Sequence, residues 1–246
     1  MTLGGEKDKR LVRFDLNILE SEELFAWGDC PAPGLASVSG DQRFGLSSAR
    51  LKDGNFGIFR INLQNGKWEL LYQSPDICNP HLQFRLRTGS KILVQENRGA
   101  SFDSEGSMIR PCNERGVGLF FIDAASLERK DFPVGPPLTP STTGHECWIA
   151  DTDHVLVTLH QPHSDGQKRG NVMEVTPEWP KARIVFESSN VWNHVSASKC
   201  GCYFVTDCYG LPGKPILIGS IRTGKTRILC EPTTTGGGAQ YTHLHP

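Results

Sequence analysis

The sequence predicts an all-β fold, and three observations carry that prediction. Few stretches place apolar residues at the 3.6-residue spacing of an amphipathic helix. Short runs rich in Val, Ile, Phe and Leu recur instead, bounded by Gly, Asn, Asp and Pro, which is the punctuation of strands and turns. These runs also repeat with a period of about 45 to 50 residues, a length that suits a unit of four short strands.

Taken in order, RLVRFDLNILESEELFAW at 10–27 reads as a hairpin, the outer part of a unit without its inner strands. The first full unit, near 34–78, opens with GLASVS and closes with FRINLQNGKWELLY, where Asn65-Gly66 sets a turn between two alternating runs. The second, near 79–141, opens with NPHLQF, continues through KILV at 91–94 and ends with FFIDAASLERKDFPV. Inside it lies ENRGASFDSEGSMIRPCNERG at 96–116, without apolar alternation and too long for a hairpin connection, so a functional loop is expected there. The third, near 142–191, runs from GHECWI through HVLVT to VMEVTPEWPKARIVF. The fourth, near 192–239, runs from WNHVSA through CYFVT to ILIGSIRTGKTRILCE, with Thr223-Gly224 as its outer turn. In this unit Asp207, just after CYFVT, reads as a turn residue that anchors the unit. A further opening strand is expected at 240–246.

Four-stranded units repeated radially make a β-propeller. The whole chain, 1–246, is therefore expected to form a single β-propeller domain of about five blades or part-blades, incomplete at both ends. The alternative is a small ring closed by pairing the N-terminal hairpin with the C-terminal strand.

Charge and targeting features exclude several classes. With 26 basic and 27 acidic residues the formal charge is -1, and no cluster of Lys or Arg suggests a nucleic-acid or membrane partner. The N-terminus, MTLGGEKDKR, has no apolar core of a signal peptide, and no apolar run reaches the ~20 residues of a membrane span. A cytoplasmic protein is the expectation, with its eight cysteines as reduced thiols. Cys200-Gly-Cys202 with Cys208 is the nearest approach to a cysteine motif, and it lacks the paired CxxC spacing of a zinc knuckle.

The candidate chemistry lies in the histidines. The same interval separates His145 from His194 and His194 from His243, so the three occupy one phase of the repeat and would converge on a radial axis. Gln240 and His245 join His243 in the closing QYTHLHP, and on a strand residues 243 and 245 share a face. Imidazoles with an amide oxygen suit a divalent metal of the Mn-to-Zn row. Glu146 alternates away from His145 and reads as a structural hydrogen-bond partner, and Trp148 and Trp192 read as packing residues.

The order HECWI, WNHVSAS with Asp207, then QYTHLHP resembles that of the oligogalacturonate lyases. The resemblance implies a seven-bladed propeller with a divalent metal, usually manganese, in its central channel. It implies His194, Gln240, His243 and His245 as metal ligands and His145 as the catalytic base. Arg115 is the nearest candidate for the family's catalytic arginine; an ungapped match puts Gly118 at that place, and Arg98 and Arg110 are the alternatives. The implied substrate is a short oligogalacturonide, cleaved by β-elimination. Compared with the family, the chain lacks roughly the first two blades and everything after the opening strand of the last. Two other readings stand beside this one: a propeller that binds or scaffolds without turnover, and a lyase or epimerase for another uronate.

Overall fold

Alternating apolar runs pair into antiparallel sheets in the computed structural model, which describes residues 2–3, 9–162, 168–188, 190, 192–208 and 211–231. The first sheet joins β1 (Thr2–Leu3), β2 (Arg10–Asp15) and β3 (Glu20–Ala26) in that order. Only the hairpin was expected here. β1 adds a third strand on the free edge of β2, with Thr2 opposite Leu11.

The second sheet runs β4 (Ser37–Val38), β5 (Phe44–Arg50), β6 (Phe56–Asn62), β7 (Trp68–Ser74). The third begins with β8 (Gln83–Phe84) and β9 (Lys91–Asn97). The 96–116 insertion then forms a ribbon of its own, β10 (Ser101–Phe102) with β11 (Met108–Arg110), where no strand was expected. Its tip is tied by the Asp103 carboxylate, which accepts the backbone N–H groups of Glu105 and Ser107 at 2.9 and 2.8 Å. The third sheet is completed by β12 (Val117–Asp123) and β13 (Arg129–Asp131).

The fourth sheet orders β14 (Thr142–Trp148), β15 (Val155–Pro162), β16 (Lys168–Val175) and β17 (Arg183–Glu187). The fifth orders β18 (Trp192–Ala197), β19 (Tyr203–Cys208), β20 (Ile216–Ser220) and β21 (Thr226–Cys230). Each four-stranded sheet thus follows chain order, and the described residues contain no helix.

One outer turn recurs in three sheets. The residue closing each turn is left-handed: Gly66 (φ 71°), Leu127 (φ 60°) and Gly224 (φ 66°). In each, its N–H returns to the carbonyl that opens the turn, on Asn62, Asp123 or Ser220. Glycine fits that conformation without steric cost, which is why two of the three turns were legible as Asn-Gly and Thr-Gly.

The chain divides into two compact units, residues 1–111 with 120–129, and residues 112–119 with 130–246. In the first, Leu46, Ile58, Ile77, Ile92, Val94, Phe120 and Ile122 form one core cluster. In the second, Leu156, Val172, Val185, Val195 and Phe204 form another. Each fully buried apolar side chain contributes about 1.5–3 kcal/mol of transfer free energy.

The first unit also holds a partly buried ion cluster around the buried Glu96. Glu96 accepts a two-pronged contact from Arg129, at 2.9 and 3.1 Å, and a third hydrogen bond from Arg98 at 3.0 Å. Arg129 donates to the Tyr72 hydroxyl and lies over the Phe120 ring. Burial pushes the Glu96 carboxyl up, but hydrogen bonds and charge from Arg129 and Arg98 outweigh it and hold the group below its ordinary 4.5. A depressed folded value means stability that is complete above the unfolded value and is lost as pH falls through the folded one. Replacing Glu96 with Gln is therefore expected to cost about 3 kcal/mol at neutral pH. The difference from the parent should shrink as urea unfolding is repeated below about pH 4.5.

Candidate functional site

The site is built in the second unit, where β18 packs against β14 and β15. Both opening strands are irregular. In β14, Glu146 is opposite Val157 but Thr142 is opposite Leu159, so β14 carries two more residues than β15 over that stretch. Gly144, inside the bulge, has φ 87°, a conformation disfavoured for residues with a Cβ. In β18, Val195 is opposite Thr206 but Trp192 is opposite Cys208, leaving one extra residue on β18. His145 and His194 both sit in these bulges. A bulge re-aims a side chain that regular pleating would fix.

The two bulges bring the imidazoles together: the His145 and His194 ring centroids are 4.1 Å apart, tilted by 55°. His194 is buried and His145 half-buried. Behind His194 stands Asp207, fully buried. Its Oδ1 accepts the His194 backbone N–H at 2.8 Å, and its Oδ2 lies 2.7 Å from Nδ1 of the same residue.

Asp207 is therefore not the turn residue expected. It lies within β19, opposite Ile216, and its carboxylate fixes both the backbone and the ring of His194. Since a carboxylate accepts, the ring hydrogen belongs on Nδ1 and the imidazole lone pair on Nε2. A carboxylate behind one ring nitrogen is the arrangement that orients an imidazole for coordination through the other.

Two buried threonines complete the support. Thr206 Oγ1 donates to the His194 carbonyl at 2.6 Å, and Thr158 Oγ1 donates to the Asn193 carbonyl at 2.8 Å, with the His145 carbonyl 3.4 Å away. The bulged carbonyls of β18, which regular ladder pairing would miss, are satisfied by one hydroxyl from the adjacent β19 and one from β15 of the fourth sheet. Neither threonine was a candidate from sequence. A hydroxyl between Val and Leu or Asp in an apolar run was the available sign. Trp148 and Trp192 are core residues, as read, with edge contacts to Phe132 and Phe186. Glu146 is buried on the strand beside His145.

The arginine candidates are placed as follows. Arg115 is exposed in a turn where its backbone N–H is held by Asn113 Oδ1 at 2.9 Å. Arg98 is engaged by Glu96, Arg110 is exposed on β11, and Gly118 is buried in β12. Gln240, His243 and His245 lie outside the described residues. Among the described residues no group of three or more His, Cys, Asp or Glu side chains could hold a metal ion. Of the expected ligand set, His194 is the member whose surroundings are visible, and its carboxylate-held ring fits such a role.

No family model matches the sequence, and no curated protein matches it. Solved structures do. The chain is similar to an oligogalacturonate lyase in complex with manganese, with a TM-score of 0.69 and 13% identity over 97% of this chain and 64% of that one. It is similar to the oligogalacturonate lyase of Vibrio parahaemolyticus at a TM-score of 0.66 and 13% identity, with the same coverage. The β-propeller domain of the Trilobed protease from Pyrococcus furiosus matches with a TM-score of 0.58 and 12% identity, over 93% of this chain and 65% of that one. The chain has a β-propeller fold. It spans 64% of the length of the two lyases. At such identities the likeness speaks for the fold, so the chemistry rests on the residues.

Proposed function

We propose that the chain is a metal-dependent lyase, acting in the cytoplasm, that cleaves short oligogalacturonides by β-elimination. The observation that carries the reading is the His145–His194 pair, presented by bulges on neighbouring strands and backed by Asp207. Its fold is shared with lyases, one of them solved with manganese.

β-Elimination from a uronate needs the C5 proton removed and the C4 glycosidic oxygen expelled. His194, with Gln240, His243 and His245, would hold the cation, most readily Mn2+. Bound at the uronate carboxylate, such an ion supplies the Lewis acidity that makes C5–H acidic. His145 is the base: a neutral imidazole beside the metal-binding residue, available to take the proton near neutral pH. Arg115 is assigned to a substrate carboxylate or the leaving oxygen, a task that suits a planar, permanently charged guanidinium.

The test is metal analysis of the purified chain beside a His243→Ala variant, followed by digalacturonate and trigalacturonate assays with added Mn2+. The expected result is one metal per chain, lost in the variant, with the ultraviolet absorbance of an unsaturated uronate from the parent alone. Metal retention without product would overturn the lyase reading in favour of a binding propeller.

A further inference from the structure

The tight turn between β18 and β19 carries Cys200 and Cys202, both exposed. Its geometry repeats that of the turn between β4 and β5. There, Ser39 N–H donates to the Phe44 carbonyl and Gln42 N–H to the Ser39 carbonyl, both at 2.8 Å. In the later turn, Ser198 N–H donates to the Tyr203 carbonyl at 2.9 Å and Gly201 N–H to the Ser198 carbonyl at 2.8 Å. The residue at the third position differs: Asp41 in one, Cys200 in the other.

In the first turn that position is an anion seat. Asp41 Oδ1 accepts the Ser39 hydroxyl at 2.6 Å and the Arg43 N–H at 3.0 Å. The Ser39 bond foremost, then the Arg43 N–H, holds the Asp41 carboxyl below its ordinary value. In the second turn the Ser198 hydroxyl lies 3.3 Å from Cys200 Sγ, and the same hydroxyl accepts the Tyr203 N–H as Ser39 accepts the Phe44 N–H. A sulfur atom thus stands where the first turn has a carboxylate, beside the equivalent serine hydroxyl, and the Cys202 thiol donates to the Cys200 carbonyl at 3.6 Å.

We propose that Cys200 and Cys202 form a redox-active dithiol, with Cys200 as the attacking thiolate and Cys202 as the resolving thiol, exchanging with small disulfides. Ser198 first, then the backbone and thiol of Cys202, push the Cys200 thiol down, whereas the hydrogen bond and charge of Cys200 push Cys202 up. The asymmetry is what a two-step exchange uses. A disulfide spans Cα separations of about 4.4–6.8 Å, a range that two residues separated by a single turn residue can meet. Cys202 also lines a groove of 520 Å³ with Tyr203, Arg222 and the Glu174–Arg183 ion pair, large enough for a peptide-like disulfide.

The steps balance. Cys200 thiolate attacks one sulfur of a small disulfide; that S–S bond breaks, and the released thiolate takes up the proton that Cys200 gave to solvent. Cys202 then loses its proton and attacks Cys200 Sγ, forming the Cys200–Cys202 disulfide. The second small thiolate leaves with a proton. The dithiol is oxidised by two electrons and the small disulfide is reduced to two thiols. This site is independent of the lyase reading.

The test treats the full chain with oxidised glutathione and reads intact and peptide masses. The parent should lose two hydrogens within the peptide that begins at Cys200. Cys202→Ser should instead retain a glutathione adduct on Cys200, and Cys200→Ser should give neither product. At neutral pH the Cys200 thiol should also react with an alkylating probe roughly tenfold faster than Cys230, an exposed thiol on β21. A parent that keeps a stable glutathione adduct, or a Cys200 that reacts no faster than Cys230, would overturn the proposal.

Discussion

Replacing Asp207 with alanine is expected to lower conformational stability by about 2–4 kcal/mol and to weaken Mn2+ binding roughly 10- to 100-fold. Asp207 is fully buried, and both of its oxygens are committed to one residue. Deleting the carboxylate leaves the His194 backbone N–H and the ring Nδ1 without their acceptor, in a place where water cannot readily substitute. The same deletion frees the imidazole to rotate and to change tautomer, and under the proposed function that effect would reach the metal. Asn at 207 separates the two. Its carbonyl can still accept the backbone N–H, but its amide cannot serve as the anionic acceptor for Nδ1–H. The stability loss should then be about half that of the alanine variant, while metal affinity should suffer nearly as much. Urea unfolding and titration calorimetry with Mn2+ report the two quantities. An alanine variant with unaltered metal affinity would mean that Asp207 serves the strand and not a metal ligand.

How much of this was legible in the sequence follows from what each residue's neighbours enforce. β18 falls at 192–197, on the WNHVSA run, because Trp192 and Val195 fill core clusters that an apolar run announces. The glycine turns at Gly66 and Gly224 were readable because a left-handed φ favours glycine. β10 and β11 were not, since they are two and three residues long, Met108–Arg110 are exposed, and the contact of Phe102 with the Phe56 ring is a single position that sets no period. β1 was missed for a related reason: two residues on an edge leave no period to detect.

Asp207 was misread on chemistry. Aspartate at the end of an apolar run favours a turn, whereas pairing with Ile216 on β20 and the bonds to His194 across the hairpin keep it in the strand. The proximity of His145 and His194 was readable as phase, because equal spacing in a repeat puts side chains at equivalent positions. The bulges that turn those side chains toward each other were marked only by Gly144. That glycine looked like an ordinary strand opening.

Removing the His145 side chain, as His145→Ala, is expected to lower the turnover number for digalacturonate roughly 100- to 10,000-fold while leaving bound Mn2+ unchanged. The asymmetry between the two histidines carries the argument. His194 is buried and held at ring and backbone by Asp207, so it is built to stay in place. His145 is half-buried in a bulge that contains a left-handed glycine, and its ring touches the His194 ring. Loss of a half-buried imidazole costs about 1 kcal/mol or less, because His194 keeps its own anchors, so the variant should fold and bind metal normally. A base acts on the proton in flight and not on ground-state binding, so the loss should fall on kcat with KM little moved. Three outcomes are distinct. A kcat loss with intact metal assigns the proton to His145; loss of metal as well would make His145 a ligand beside His194; undiminished turnover would require another base on this face.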